Sequence, residues 1–112
     1  MASVLTEIKK LLGVDEEFPH FDTDITLGIN ASLAALRQLG ADKGEKTVVD
    51  KDTTWEQVLG PEYDFEAAKS YIFLKTRLLF DPPSSSAAIE SINKVLAELE
   101  WRIFVDSDPV TP

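Results

Sequence analysis

Apolar residues recur along this chain at spacings of three and four, and five stretches carry that helical pattern. Leu5, Ile8, Leu11 and Leu12 mark a first helix over about 4–12. Ser3 can cap its start, and Gly13 suits the left-handed position just past its end. Ile25, Ile29, Leu33 and Leu36 stripe a second helix that runs to about Leu39, with Asp22 or Thr23 as its cap and Gly40 as its stop. Ala31, Ala34 and Ala35 beside the stripe allow a neighbouring helix to come close. Trp55, Val58 and Leu59 make a short helix, closed by Gly60-Pro61. Either Thr53 with Glu56 or Thr54 with Gln57 has the spacing of a capping box at its start.

The stretch 65–80, FEAAKSYIFLKTRLLF, organises the rest. Ala68, Ile72 and Leu79 share one face, Tyr71, Leu74 and Leu78 the next, and Phe73 and Phe80 extend the apolar surface to a third. Only Glu66, Lys69, Ser70, Lys75, Thr76 and Arg77 are polar. A helix that is apolar on most sides is a central helix, buried by several neighbours. Asp81-Pro82-Pro83 stops it, because proline cannot donate a helical bond and disfavours the α region in the residue before it. A last helix follows from about Ala87 to Phe104, with Ile89, Ile92, Leu96, Leu99 and Ile103 as a packing seam. Trp101 and Phe104 fall off that seam. Either another helix of the domain covers them, or they form an exposed aromatic patch of the kind that marks an interface.

Two stretches lack a helical stripe. Residues 41–53 are charged, and only Thr47-Val48-Val49 has strand character. They read as a long loop with room for one short β-strand, which could add to another chain's sheet edge. Residues 105–112 read as a flexible tail. Both are expected to order only on assembly, since neither buries enough surface alone to offset the entropy of ordering. The fold predicted is therefore all-α: a small four-helix bundle with a short extra helix, over residues 1–104, followed by the tail at 105–112.

Composition narrows the function. The 112 residues, 44% of them apolar, suffice for one domain with a modest core. There is no cysteine, which excludes a disulfide scaffold, a thiol nucleophile and a cysteine-ligated zinc, and fits a reducing compartment. The first residues lack the apolar run of a secretory signal, and no stretch approaches the roughly 20 apolar residues needed to cross a bilayer. The expectation is a soluble protein, intracellular when made, with no membrane partner. The formal charge is −9, from 11 basic and 20 acidic side chains. Such a surface repels nucleic acid. The excess either keeps the protein soluble or forms a wall that sits near DNA without holding it.

A search for chemistry returns little. His20, between Pro19 and Phe21, reads as a surface or turn residue. Asp15, Glu16, Glu17, Asp22 and Asp24 lack the spacing and turn glycine of a calcium loop, so they read as a solvated acidic loop with Asp22 as a cap. No nucleophile elbow, phosphate-binding loop or dinucleotide fingerprint is present, and the five glycines read as helix ends or loop points. Lys9-Lys10 is too small a patch for nucleic acid. No cofactor, metal or enzymatic activity is expected. Lys75 and Arg77 either cover apolar surface with their stems or contact an acidic neighbouring subunit.

Motif order then points to a family. A short helix ends in LLG, FDTDI opens a long helix that ends in LG, and TTW-x-x-x-LG forms a turn. Y-x-x-LK-x-R-L-x-FDPP and LEWR follow. This order resembles the small head-tail connector (adaptor, or head completion) proteins of long-tailed bacteriophages, over about Val4 to Arg102. The strongest matches are Lys75, Arg77, Phe80-Asp81-Pro82-Pro83 and Glu100-Trp101-Arg102. The resemblance implies a structural virion protein that is not an enzyme. It would form a homo-oligomeric ring beneath the portal protein, following the portal's twelvefold symmetry. The ring would extend the DNA channel, let DNA pass without specific binding, and dock a stopper or tail-completion protein. Its place would be the head-tail interface of the virion, reached through the host cytoplasm during assembly. On this reading the interface candidates are Lys75, Arg77, Trp101, Phe104, Thr47, Val48 and Val49. The alternative is an acidic protein-binding module, of the DNA-mimic or anti-repressor type, that stays monomeric or dimeric and binds a basic partner.

Overall fold

A computed structural model describes residues 3–39, 49–59 and 65–107. Five helices follow one another: α1 (Val4–Leu12), α2 (Asp22–Gln38), α3 (Trp55–Leu59), α4 (Phe65–Phe80) and α5 (Ser86–Ser107). Among the described residues there is no strand. The fold is all-α, as the periodicity predicts, with α4 in contact with α1, α2 and α5.

α1 begins and ends as read. Ser3 Oγ accepts a bond from the Thr6 N–H at 3.1 Å, and Gly13 takes the left-handed conformation at φ 80°. α2 begins differently. Neither Asp22 nor Thr23 caps it; Phe21 holds the cap position without a side-chain bond. Asp22 instead lies in the first turn and pairs with Lys9 at 2.7 Å. The cause is Lys9, whose side chain is 3% exposed. Its ammonium donates to the carbonyls of Glu16 at 3.0 Å and Phe18 at 2.8 Å. A buried ammonium must be surrounded by acceptors, and one lysine from α1 thus ties down the backbone of the acidic loop. The carboxylates of Asp15, Glu16 and Glu17 stay exposed.

α2 and α4 make the closest crossing. Gly28 sits there in mid-helix: a Cβ on it would lie 2.9 Å from Thr76 Cγ2 and 3.4 Å from Thr76 Cα. Gly28 is therefore neither a helix end nor a loop point but the place where two backbones approach. Ala31 is exposed, and Ala34 and Ala35 are half-buried. Ile25, Ile29, Leu33 and Leu36 from α2 and Ala68, Tyr71 and Ile72 from α4 are fully buried around the crossing.

The end of the expected long loop is part of the core. Val49 is 5% exposed, and its N–H donates to Asn30 Oδ1 at 2.7 Å. Thr53 is fully buried. Its hydroxyl accepts from the Asp50 N–H and donates to Asp50 Oδ1, both at 2.9 Å, and its carbonyl accepts from the Val4 N–H at 2.8 Å. With Thr53 so occupied, the capping box at α3 uses the other pair, Thr54 N–H donating to Gln57 Oε1 at 2.9 Å. Trp55, Val58 and Leu59 then pack into the core, and the Trp55 indole N–H donates to Glu7 of α1. Val49 is thus corrected from a strand-adding edge to a core residue. Thr47, Val48, Gly40 and Gly60-Pro61 lie outside the described residues.

α5 starts where Ser85 Oγ accepts from the Ala88 N–H at 3.3 Å. Its seam is as read: Leu96 and Ile103 are buried, and Ile89, Ile92 and Leu99 are half-buried. The helix runs on through Val105, Asp106 and Ser107, which the sequence reading placed in the tail. The molecule measures 47 × 35 × 18 Å. Its thin dimension holds only two layers of helices about 10 Å apart, so α5, packed on α4, keeps one side facing out.

Candidate functional site

The outward side of α5 is apolar. Trp101 is 66% exposed, and Phe104 and Val105 are each 47% exposed. Of the two readings open for Trp101 and Phe104, the structure takes the exposed patch. The neighbouring residue explains why. Glu100 accepts a bond from the Tyr71 hydroxyl of α4 at 3.0 Å. Successive helical residues point about 100° apart, so holding Glu100 against α4 turns Trp101 outward. Burial, and then the bond and charge of Glu100, push the Tyr71 hydroxyl well above the usual tyrosine pKa. Arg102 pairs with Glu98 at 2.7 Å on the exposed surface, a contact of a few tenths of a kcal/mol at most.

Lys75 and Arg77 face different ways, as two positions on a helix must. Lys75 Nζ lies 5.6 Å from the centre of the Tyr71 ring, whose hydroxyl bonds to Glu100. Arg77 lines a crevice toward the end of α1, with Leu11, Phe73 and Asp81. Both are half-buried. The four candidates do not form one cluster: Lys75 lies over the Tyr71 ring, Arg77 lies toward α1, and Trp101 and Phe104 lie on the outer side of α5.

A second apolar surface lies elsewhere, outside the expected interface residues. Phe21, at the start of α2, meets Phe80, at the end of α4, edge to face with ring centres 5.3 Å apart. The Phe18 ring lies 5.7 Å from both Phe21, edge to face, and His20, tilted, so the loop before α2 is a short aromatic run lying on the surface. The two Phe-Asp motifs thus converge in space. They frame an open groove of about 770 Å³, lined by Leu27, Leu79, Phe21 and Phe80 together with Asp24 and Asp81. Leu27 is 64% and Leu79 61% exposed. Leu79 therefore leaves the buried face of α4, because the last turn of that helix runs past the Gly28 crossing. Two signals were available in the sequence: Leu27 lies off the α2 stripe, and Phe-Asp occurs in both motifs.

Among the described residues no group of three or more histidines and carboxylates could hold a metal ion, and no helix is long and apolar enough to cross a membrane. No curated protein and no solved structure matches the chain. The sequence model described as phage connector protein matches residues 4–110, nearly the whole chain. An all-α domain with two exposed apolar surfaces fits that match. The chain belongs to the phage connector protein family, whose members are structural virion components rather than enzymes.

Proposed function

We propose that copies of this protein assemble into a ring beneath the portal of a phage head. The ring extends the DNA channel and offers a surface to the next connector or tail component. The observation that carries this reading is the bare aromatic face of α5. Trp101 is 66% exposed, and an indole left in water on a small domain belongs to an interface. Family membership supplies the setting, since connectors assemble with other virion proteins. The net charge of −9 has a use there, because an acidic wall lets DNA slide without binding. Light scattering on the protein alone and mixed with portal protein tests this. The expected result is a discrete multimer with portal protein present. A chain that stays monomeric or dimeric, and binds a basic protein instead, would favour the acidic-module reading.

A further inference from the structure

The two exposed apolar surfaces lie toward opposite ends of α4. The groove is at its C-terminal end, around Leu79 and Phe80. α5 returns antiparallel, and the Tyr71–Glu100 bond sets Glu100 level with Tyr71. Tyr71 is roughly 13 Å along the helix axis from Phe80, at 1.5 Å per residue. Trp101, Phe104 and Val105 run on from Glu100, farther from the groove. A chain therefore cannot seat its own aromatic face in its own groove, but a second copy can.

The geometry points to a head-to-tail contact between copies, with the Trp101–Phe104 face of one seated in the Leu27–Leu79 groove of the next. This rests on the ring reading above and names its interface. Charge supports the choice of occupant. The groove lining includes Asp24 and Asp81. Arg102 stands beside Trp101 in an exposed contact with Glu98 at 2.7 Å. Seating the indole brings that guanidinium toward these carboxylates, a pairing of opposite charges that sets the orientation of the contact. The groove, at about 770 Å³, has room for bulky side chains. A contact joining two different patches is heterologous, and heterologous contacts close into rings when the rotation allows.

The chain has no cysteine, so introduced thiols report on this contact alone. Leu79→Cys and Phe104→Cys are made separately; both positions are exposed, and circular dichroism confirms folding. The two variants are mixed in a glutathione redox buffer with portal protein present. The expected product is the mixed disulfide dimer, well above its random share, with Arg102→Glu in the Phe104→Cys chain lowering its yield several-fold. The double variant Leu79→Cys/Phe104→Cys should give a ladder of covalent multimers on a denaturing gel. A random mixture of the three dimers, or a dominant Phe104→Cys homodimer, overturns the proposed pairing. If wild-type protein still forms a discrete multimer in that case, the ring reading stands and only the contact is wrong. If it stays monomeric, the ring reading fails with it.

Discussion

Gly28 is the residue on which the packing of α2 and α4 turns. Replacing it with alanine gains roughly 1 kcal/mol of helix propensity. Against this, the new methyl meets a stiff β-branched side chain at 2.9 Å and backbone at 3.4 Å. Overpacking of that kind costs about 1–3 kcal/mol. The cost wins, and Gly28→Ala is expected to lower stability by about 1 kcal/mol in urea unfolding. Thr76→Ser, which removes the colliding methyl, should recover most of the loss in the double variant. Lys9 is a second such residue. Lys9→Met leaves two carbonyls and Asp22 without their cation, and is expected to cost roughly 2–4 kcal/mol. Thermal unfolding checks this, and an unchanged midpoint would show that the acidic loop does not need its lysine. Neither role was legible in the sequence. A glycine in a helical run gives no sign of what lies opposite it, and Lys9 reads as one half of a basic pair until the fold closes the loop over it.

At the scale of elements, periodicity was a good guide where one face of a helix meets one neighbour. The seam of α5 and the bounds of α1 and α4 follow from it directly. It failed where tertiary contacts supply the order. Val49 and Thr53 carry no stripe, and Asn30 and Val4, distant in sequence, hold them. It also could not decide whether Trp101 faced a helix or water, since that depends on how many layers the domain has. The Tyr71–Glu100 bond ties α5 to α4, and its pH dependence follows. The unfolded tyrosine ionises near pH 10, whereas the folded one is raised above that by burial and by Glu100. The folded state therefore holds its proton longer, and the stabilisation is present below about pH 10 and is lost as the pH rises beyond it. Melting curves of wild type and Tyr71→Phe should accordingly converge at alkaline pH; parallel curves would show that the fold does not hold Tyr71 protonated. Trp101→Ala and Phe104→Ala test the outer face. Both are expected to leave the monomer's circular dichroism and melting midpoint nearly unchanged while weakening assembly by about 2 kcal/mol or more. Unfolding of the monomer would show instead that these residues belong to the core.

For the whole molecule, the central claim is that a thin helical slab with two separate apolar surfaces builds a ring. The thin dimension of 18 Å leaves α5 open on one side, and the chain carries a net charge of −9. Copies of so acidic a chain repel one another, so the apolar surfaces must outweigh that repulsion at close range. Electron microscopy of the purified protein mixed with portal protein tests the claim most directly. The account expects class averages of a ring with an open centre, stacked coaxially on the portal, and none from the Trp101→Ala/Phe104→Ala double variant. Portal particles that carry no added ring with wild-type protein, or rings that persist undiminished with the double variant, would contradict it.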